Sequence, residues 1–375
     1  MESLSPTRPA APGSVPNSLH AIDERWLTAA LCASVPGAEV VRIEIDGGDA
    51  GTSARHALTI DYNAAGRAAD LPTELFTKTT PDIKTRLFTG LTNLFVGEAN
   101  FYTLLRGRLR IESPNGYYAA YDLRSCSSIV LMEDIARTRG ARFGAPRTLK
   151  INRAMAEDMV RLMANYHSAF WESPELETMR WLSGSAEWQR HLDRMINTRA
   201  MVDRGIRRAK DVFPDNLLGR MDDVWPAFQA SLPLKSQGGV TLLHHDVHSK
   251  NWYVTGDGRM GLYDWQTIVK GTWAVDFSYA LNCGLDVEDR RAWIEDLLRM
   301  YLEELAVRGV ESPNYDDAWL AYRQQSVHGL VFWLATIGAG TLQPDLHDRE
   351  DCLVNIRRLA SAVDDAGTLD VLLKR

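Results

Sequence analysis

The chain has 375 residues, an ordinary globular composition and a formal net charge of −7, which disfavours non-specific binding to nucleic acid or to an anionic membrane. It contains no apolar run near the roughly 20 residues that cross a bilayer, no basic and apolar leader, and only four scattered cysteines. We expect a cytoplasmic protein with reduced thiols, present as a monomer or homodimer, that binds neither nucleic acid nor membrane and can hold two cores.

The first part of the chain is predicted to be a tail followed by a helix and two strands. Residues 1–18 contain four prolines among small polar residues, which is typical of a disordered tail. Asp23 can cap a helix that runs to Ala33. Branched residues then predict strands at Glu39–Ile45 and Arg55–Tyr62.

The segment between these two strands is rich in glycine. Gly48, Gly51 and Ser53 lie in it, and a strand–glycine loop–strand unit can fold over the phosphates of a nucleotide. The same composition is common in ordinary hairpin turns, so both interpretations stay open at this point. The segment does not match the Walker pattern, because no Gly-Lys-Ser/Thr follows it.

A lysine and a glutamate are predicted to pair in the same region. Lys78 lies near the end of a third predicted strand, Leu75–Pro81, where a lysine is usually only solvated. Glu98 falls on the apolar face of the next predicted helix, Leu91–Leu105. A buried carboxylate needs a cationic partner, so we expect an ion pair, which in kinases directs the lysine at the nucleotide phosphates.

Two more strands are predicted at Tyr117–Tyr121 and Ser128–Met132, and the second runs into Glu133. After them, the sequence predicts a loop at Arg137–Arg147 and a long helix at Ala154–Phe170. His167 lies within this helix, where a histidine is most simply a buried structural residue.

The densest group of polar residues lies in Leu243–Gln266. Asp246, His248 and Asn251 share one short loop, and a predicted hairpin follows whose return strand ends at Asp264. Because a hairpin brings its two ends together, Asn251 and Asp264 should lie side by side. Carboxylate and amide oxygens suit Mg²⁺, and Asp246 can then face the hydroxyl of a substrate.

The remainder of the chain is predicted to be helical, with long amphipathic segments at Glu288–Val307, Asp316–Ile337 and Arg349–Asp364. Strands in the first part and helices in the second predict an α+β protein with two lobes.

The loop and hairpin resemble the aminoglycoside phosphotransferase and choline kinase-like family of small-molecule kinases. The family pattern is roughly H-G-D-x-H-x-x-N, a hairpin, and an aspartate followed by an aromatic residue. Matching residues are His244, Asp246, His248, Asn251, Asp264 and Trp265. Gln266 resembles the choline kinase-like (CHK) and ecdysteroid kinase-like branch, whereas His245 stands where glycine is usual.

The resemblance extends outside this stretch. The string from Glu98 to Tyr102 resembles the E-x-x-F-Y segment of the family, and Glu133-Asp134 resembles the linker between the lobes, whose backbone meets adenine. Asp276 occupies the position of an aspartate that braces the catalytic loop. The late helices of the family wall the acceptor pocket, which makes His328, Trp333 and the Asp345–His347 loop candidates for acceptor contact.

The resemblance implies a protein-kinase-like fold with a small antiparallel-sheet N-lobe, residues 19–133, and a large, mainly helical C-lobe, residues 134–375. It implies an ATP-dependent phosphotransferase that acts on a hydroxylated small molecule, with GTP as an alternative donor. Asn251 and Asp264 would hold Mg²⁺, and Lys78 with Glu98 would contact the nucleotide. Asp246 would accept the hydroxyl proton.

The family also implies roles for the neighbours of these residues. His248 would touch the γ-phosphate or order the loop. Trp265 would pack against the loop, while His244 and Asp276 would support it.

Three alternatives use the same residues differently. His244-x-Asp246 could be half of a non-haem iron triad in an oxygenase, with His328 as the third ligand. Such pairs sit in all-β barrels, whereas this chain is largely helical. A zinc site could use His244, His245 and His248, although their spacing matches no common ligand pattern. A kinase-like fold could also bind ligands without catalysis.

Overall fold

The computed structural model describes residues 15–16, 21–50, 54–80, 86, 89–90, 92, 94–144, 146–340 and 347–374, with only the backbone for 48–50. Contacts divide the chain into a first unit, Met1–Leu109 with Ser113–Ala141, and a second unit, Arg110–Glu112 with Arg142–Arg375. The first unit therefore continues past the predicted lobe boundary at Glu133. Most of the predicted tail, residues 1–14 and 17–18, lies outside the described residues.

The first unit consists of a sheet and short helices. Its elements are α1 (Glu24–Leu31), β1 (Val40–Ala50), β2 (Ala54–Tyr62), α2 (Ala64–Ala68), β3 (Glu74–Thr79), α3 (Leu94–Asn100), β4 (Gly116–Asp122), β5 (Ser127–Glu133) and α4 (Ile135–Arg139). The five strands form an antiparallel sheet in the order β1-β2-β3-β5-β4. Apolar residues of α1 and of one sheet face, among them Trp26, Leu58 and Leu131, form its core.

Two predictions for this unit need correction. Strand β1 does not end at Ile45 but continues to Ala50, so Gly48 lies in a strand, beside a register irregularity between Asp46 and Asp49. Gly51 and Ser53 lie outside the described residues. The segment predicted as a loop from Arg137 to Arg147 begins inside α4, because Asp134 caps that helix by accepting from two backbone N–H groups.

The second unit is mainly helical and carries two small sheets. Its strands are β6 (Arg142–Phe143), β7 (Val240–Leu243), β8 (Trp252–Val254), β9 (Met260–Leu262) and β10 (Val269–Thr272). Its helices are α5 (Arg153–Ala169), α6 (Glu175–Thr178), α7 (Ser185–Met195), α8 (Thr198–Ala209), α9 (Asp215–Leu218), α10 (Met221–Ser231), α11 (Ala274–Gly284), α12 (Val287–Val307), α13 (Tyr315–Gln325), α14 (Val327–Ile337), α15 (Arg349–Asp365) and α16 (Thr368–Leu373). None of the described helices is long and apolar enough to span a bilayer.

The small sheets of the second unit position the polar loop. Strand β7 pairs with β10, and the loop leaves the end of β7. The predicted hairpin is present as β8 and β9, with Trp252 opposite Leu262. Tyr263 N donates to the carbonyl of Asn251 at 3.1 Å, which closes the hairpin beside the position of Asp264.

The predicted α+β class is confirmed, with an antiparallel sheet in the first unit and helices dominating the second. One predicted helix, Asp316–Ile337, is two helices that meet at Ser326.

Candidate active site

The loop from His244 to Asn251 is anchored from the protein core by one carboxylate. Asp276 lies in α11 and is fully buried. It accepts hydrogen bonds from the backbone N–H groups of His244 and His245, both at 2.8 Å, and from the Tyr166 hydroxyl at 2.7 Å. Burial alone would raise the pKa of Asp276, but the neighbouring His167, His244 and Tyr166 together outweigh burial and lower the pKa. The charged form therefore persists and holds the start of the loop.

The backbone at His245 adopts the left-handed conformation, with φ of 70°. Glycine reaches this region freely, and histidine is one of the side chains that tolerate it best. The side chain is buried, and its Nε2 lies 2.8 Å from the Ser185 hydroxyl. His245 thus occupies a left-handed position at the place where the family pattern has glycine.

Asp246 presents a charged carboxylate. Its side chain retains 22% of its exposure, and Oδ2 lies 3.6 Å from His248 Nε2. Burial would raise the pKa of this carboxyl, but the neighbouring His248 imidazole outweighs burial and holds the pKa well below its usual range. The ionised group can only accept hydrogen bonds, so it can receive one from a substrate hydroxyl.

Asn251 and Asp264 supply the oxygen atoms suited to a cation. Asn251 Nδ2 donates to the backbone carbonyl of Asp246 at 2.7 Å, which leaves the amide oxygen as the ligating atom. Asp264 is buried at the end of the hairpin, in a left-handed conformation with φ of 66°. One carboxylate and one amide oxygen fit Mg²⁺, which completes its shell with water and phosphate oxygens. Among the described residues, no three His, Cys, Asp or Glu side chains cluster as a metal site by themselves.

The first unit contains the predicted ion pair. Lys78 Nζ on β3 lies 2.8 and 2.7 Å from the two carboxylate oxygens of Glu98 on α3. Both side chains are less than a tenth exposed. Because Nζ lies close to both carboxylate oxygens, the orientation of the lysine side chain is fixed.

The Glu133 carboxylate forms its contacts within the first unit. It forms an ion pair with Arg139 and accepts hydrogen bonds from Asn115 and Thr138. Burial would raise its pKa, but Arg139 lowers the pKa overall. The Glu133 side chain is therefore already engaged by residues of the first unit.

The histidine contacts disfavour both metal-binding alternatives. His244 uses Nε2 on the carbonyl of Tyr263 at 2.9 Å and Nδ1 on the N–H of Asp246 at 3.3 Å. His248 Nδ1 accepts from the N–H of Lys250 at 3.2 Å, and His328 Nδ1 contacts Lys235. These nitrogens are engaged in separate contacts within the protein, so they do not form an iron or zinc ligand set.

The aromatic residues near the loop are also placed. Trp265 is fully buried, with ring centroids 4.7 Å from His244 and 5.3 Å from Tyr166. His167 is buried, and its Nδ1 lies 2.7 Å from the Tyr301 hydroxyl. Trp333 packs 5.4 Å from the His248 ring, centroid to centroid. Of the Asp345–His347 loop, only His347 is described; its ring lies 5.3 Å from that of His248.

Sequence reasoning missed polar residues around the loop, among them Tyr166 on Asp276, Ser185 on His245 and Lys235 on His328. Tyr166 had a usable signal, because a tyrosine on the apolar face of a helix usually finds a partner for its hydroxyl. Ser185 lies 60 residues before His245, and Lys235 contacts a residue 93 positions later, so neither carries a local signal.

Known structures with a similar fold are phosphotransferases. A mutant aminoglycoside 2′-phosphotransferase IIIa in its GDP complex aligns with a TM-score of 0.50 and 10% identity, over 93% of this chain and 98% of that one. The choline kinase LicA from Streptococcus pneumoniae aligns at 0.44 and 12%, over 90% and 94%. The gentamicin complex of APH(2″)-IIa aligns at 0.47 and 12%, over 86% and 94%.

The sequence comparisons locate the family. No curated protein sequence gave a significant match. A sequence model of the phosphotransferase enzyme family, APH, matches residues 93–313, which is more than half of the chain and includes Glu98, Asp246, Asn251 and Asp264. The chain therefore belongs to the phosphotransferase enzyme family.

Proposed function

We propose that the protein is a kinase that transfers the γ-phosphate of ATP to a hydroxyl group of a small molecule. The observation that carries the proposal is the loop of the second unit, where an ionised Asp246 is joined to Asn251 through a 2.7 Å hydrogen bond. Loop and hairpin together offer one base and two cation-ligating oxygens. This set matches the needs of phosphoryl transfer to an alcohol.

Each residue has a defined part in the proposed reaction. Asn251 and Asp264 would hold Mg²⁺, which neutralises phosphate charge when bound. Lys78, directed by Glu98, would contact the α- and β-phosphates. Asp246 would orient the hydroxyl and take its proton as the acceptor oxygen bonds to the γ-phosphorus. The bond to the β–γ bridging oxygen breaks at the same time, and ADP leaves with that electron pair.

Positioning and charge supply most of the rate in this scheme. The transition state of phosphoryl transfer is loose, so the base contributes less than alignment and electrostatics. The buried Lys78–Glu98 pair and the Asp276 contacts support this reading, because both fix charged groups before a substrate arrives.

For the acceptor we propose a general chemical class. Structures with a similar fold include an aminoglycoside phosphotransferase and a choline kinase, and both substrates are hydroxylated small molecules. We propose an acceptor of this general class and include GTP as a donor to be tested beside ATP.

Thermal unfolding with and without Mg·ATP tests the nucleotide site. We expect Mg·ATP to raise the unfolding temperature of the wild type and of Asp257→Ala, a matched change in the exposed turn of the same hairpin. Asp264→Ala should lose the shift. ADP release should then be screened over hydroxylated small molecules, with GTP run in parallel.

Two outcomes would contradict the proposal. If neither Mg·ATP nor Mg·GTP raises the unfolding temperature of the wild type, the protein lacks the nucleotide site. A protein that binds nucleotide but releases no ADP with any acceptor or with water is a non-catalytic binding protein.

A further inference from the structure

A fully buried lysine lies behind the catalytic loop. Lys235 belongs to a 3₁₀ helix, Pro233–Ser236, and none of its surface is exposed. Its Nζ lies 2.7 Å from Nδ1 of His328 on α14 and above the Phe228 ring, 5.3 Å from the centroid. Among the described residues, no carboxylate forms an ion pair with Lys235. An amine in such a place is costly, and the proposed chemistry does not use it.

The lysine contacts the loop through His328. The rings of His328 and His245 lie 4.7 Å apart, centroid to centroid, and both are buried. Among the described residues, no hydrogen-bond partner reaches His328 Nε2. The contact between His328 and His245 is therefore a packing contact of the two rings.

His245 is where this chain departs from the usual glycine. Its side chain fills the space between two helices, with the Ser185 hydroxyl 2.8 Å from Nε2 and the Trp188 ring 5.2 Å away on α7. On the other side it meets His328 and Phe332 of α14. The left-handed turn before Asp246 is thus held by side-chain contacts that a glycine could not make.

We propose that Lys235 and His328 are positioning residues for the catalytic loop, an inference that rests on the proposed function. Lys235 donates to Nδ1 and so fixes the His328 ring, which packs against the ring of His245. That packing holds His245 in the left-handed conformation and Asp246 in its working orientation.

The pairing responds to pH because an ammonium group can only donate, whereas a neutral amine can also accept. Burial lowers the pKa of Lys235 to about 7, although the Asp193 carboxylate on α7 opposes the shift. The other titratable groups that face it stay neutral, since burial lowers the pKa of His245 to about 3 and that of His328 well below its usual value. Below neutral pH Lys235 can therefore only donate to Nδ1 of His328, and above neutral pH the amine can also accept from it.

Two readouts test this inference in the full chain. The first is hydrogen exchange of the 243–247 segment at pH 6 and pH 8, corrected for intrinsic rates. The second is the pH profile of kcat for ATP hydrolysis with water as acceptor, beside the KM for Mg·ATP. Lys235→Met removes the hydrogen-bond donor to His328. His328→Gln replaces the imidazole by an amide that still has one acceptor and one donor group. Lys210→Met is the matched control at an exposed lysine.

We expect the 243–247 segment of Lys235→Met to exchange about tenfold faster than that of the wild type at both pH values. Its kcat should be lower, with no step in the kcat profile near pH 7 and an unchanged KM for Mg·ATP. His328→Gln should retain part of the wild-type kcat, because its amide keeps an acceptor and a donor. Lys210→Met should match the wild type.

Equal exchange and equal pH profiles in the wild type and Lys235→Met would overturn the inference. A wild type without ATP turnover would refute the proposed function instead, and the exchange data would still decide whether Lys235 holds the loop. If Lys235→Met fails to fold, the same exchange and kinetic measurements on His328→Gln decide the question.

Discussion

At the scale of single residues, the ionisation of Asp246 controls what the loop can do. Its pKa is depressed, so the carboxylate form persists as pH falls through the usual range of an aspartate. An acid limb in the activity between pH 5 and 7 would therefore come from another group. The His248 imidazole at 3.6 Å is the partner that maintains this charge.

Asp246→Asn tests the base directly. Asparagine has a similar shape but cannot take a proton, so we expect kcat to fall by about 10²-fold or more. Binding of Mg·ATP should change little, because Lys78, Asn251 and Asp264 are intact. Steady-state kinetics with nucleotide titration measures both quantities. A variant with nearly the wild-type kcat would show that Asp246 is not the base.

At the scale of elements, the Lys78–Glu98 pair joins β3 to α3 inside the first unit. Removal of one partner from a buried pair leaves a charge in a dry environment, which usually costs several kcal/mol. Lys78, which we propose contacts the nucleotide, is therefore held in place by the packing of β3 against α3.

Glu98→Ala should destabilise the β3 segment by about 3–5 kcal/mol, because the Lys78 charge loses the carboxylate that it contacts. Native-state hydrogen exchange of the 74–79 peptide measures this local free energy. Glu44→Ala removes an exposed partner of Arg42 in the same unit and should cost under about 1 kcal/mol. The double change Lys78→Met with Glu98→Leu should recover much of the loss; no recovery would refute the charge argument.

The elements also show what the sequence could predict. The hairpin after Asn251 was predictable because its turn residues and strand alternation are local. The pairing of β7 with β10 was not, since four-residue strands far apart in sequence leave no periodic signal. The break at Ser326 was missed as well. Its backbone stays near helical values, with φ of −60° and ψ of −22°, and no proline or glycine marks it.

The residues of the site also fall into those that the sequence could predict and those that it could not. Asp246, Asn251 and Asp264 were predictable because one loop and one hairpin join them. The buried network of Lys235, His328 and His245 was not, because its members come from three elements and His328 lies 93 residues after Lys235. Their side-chain contacts depend on helix packing, which no short pattern encodes.

At the scale of the whole molecule, the buried lysine should shape how stability depends on pH. The pKa of Lys235 is about 7 in the folded state, far below the usual value for lysine. Between these two values the unfolded chain binds a proton that the folded chain does not, so this group makes stability rise with pH. Below pH 7 both states carry the proton and the slope from this group disappears.

Lys235→Met should remove that slope, because methionine has a similar shape and no proton to bind. From pH 7 to 9 we expect the free energy of unfolding of the wild type to rise by about 2 kcal/mol relative to the variant, at 1.36 kcal/mol per pKa unit. Urea unfolding followed by tryptophan fluorescence suits this test, since Trp26 is the single tryptophan of the first unit and the other ten of the eleven report on the second, where Lys235 lies. Lys210→Met, an exposed change, should follow the wild type. Parallel curves for the wild type and Lys235→Met would mean that Lys235 is protonated alike in both states, and its burial would then need a carboxylate in direct contact, which no described residue supplies.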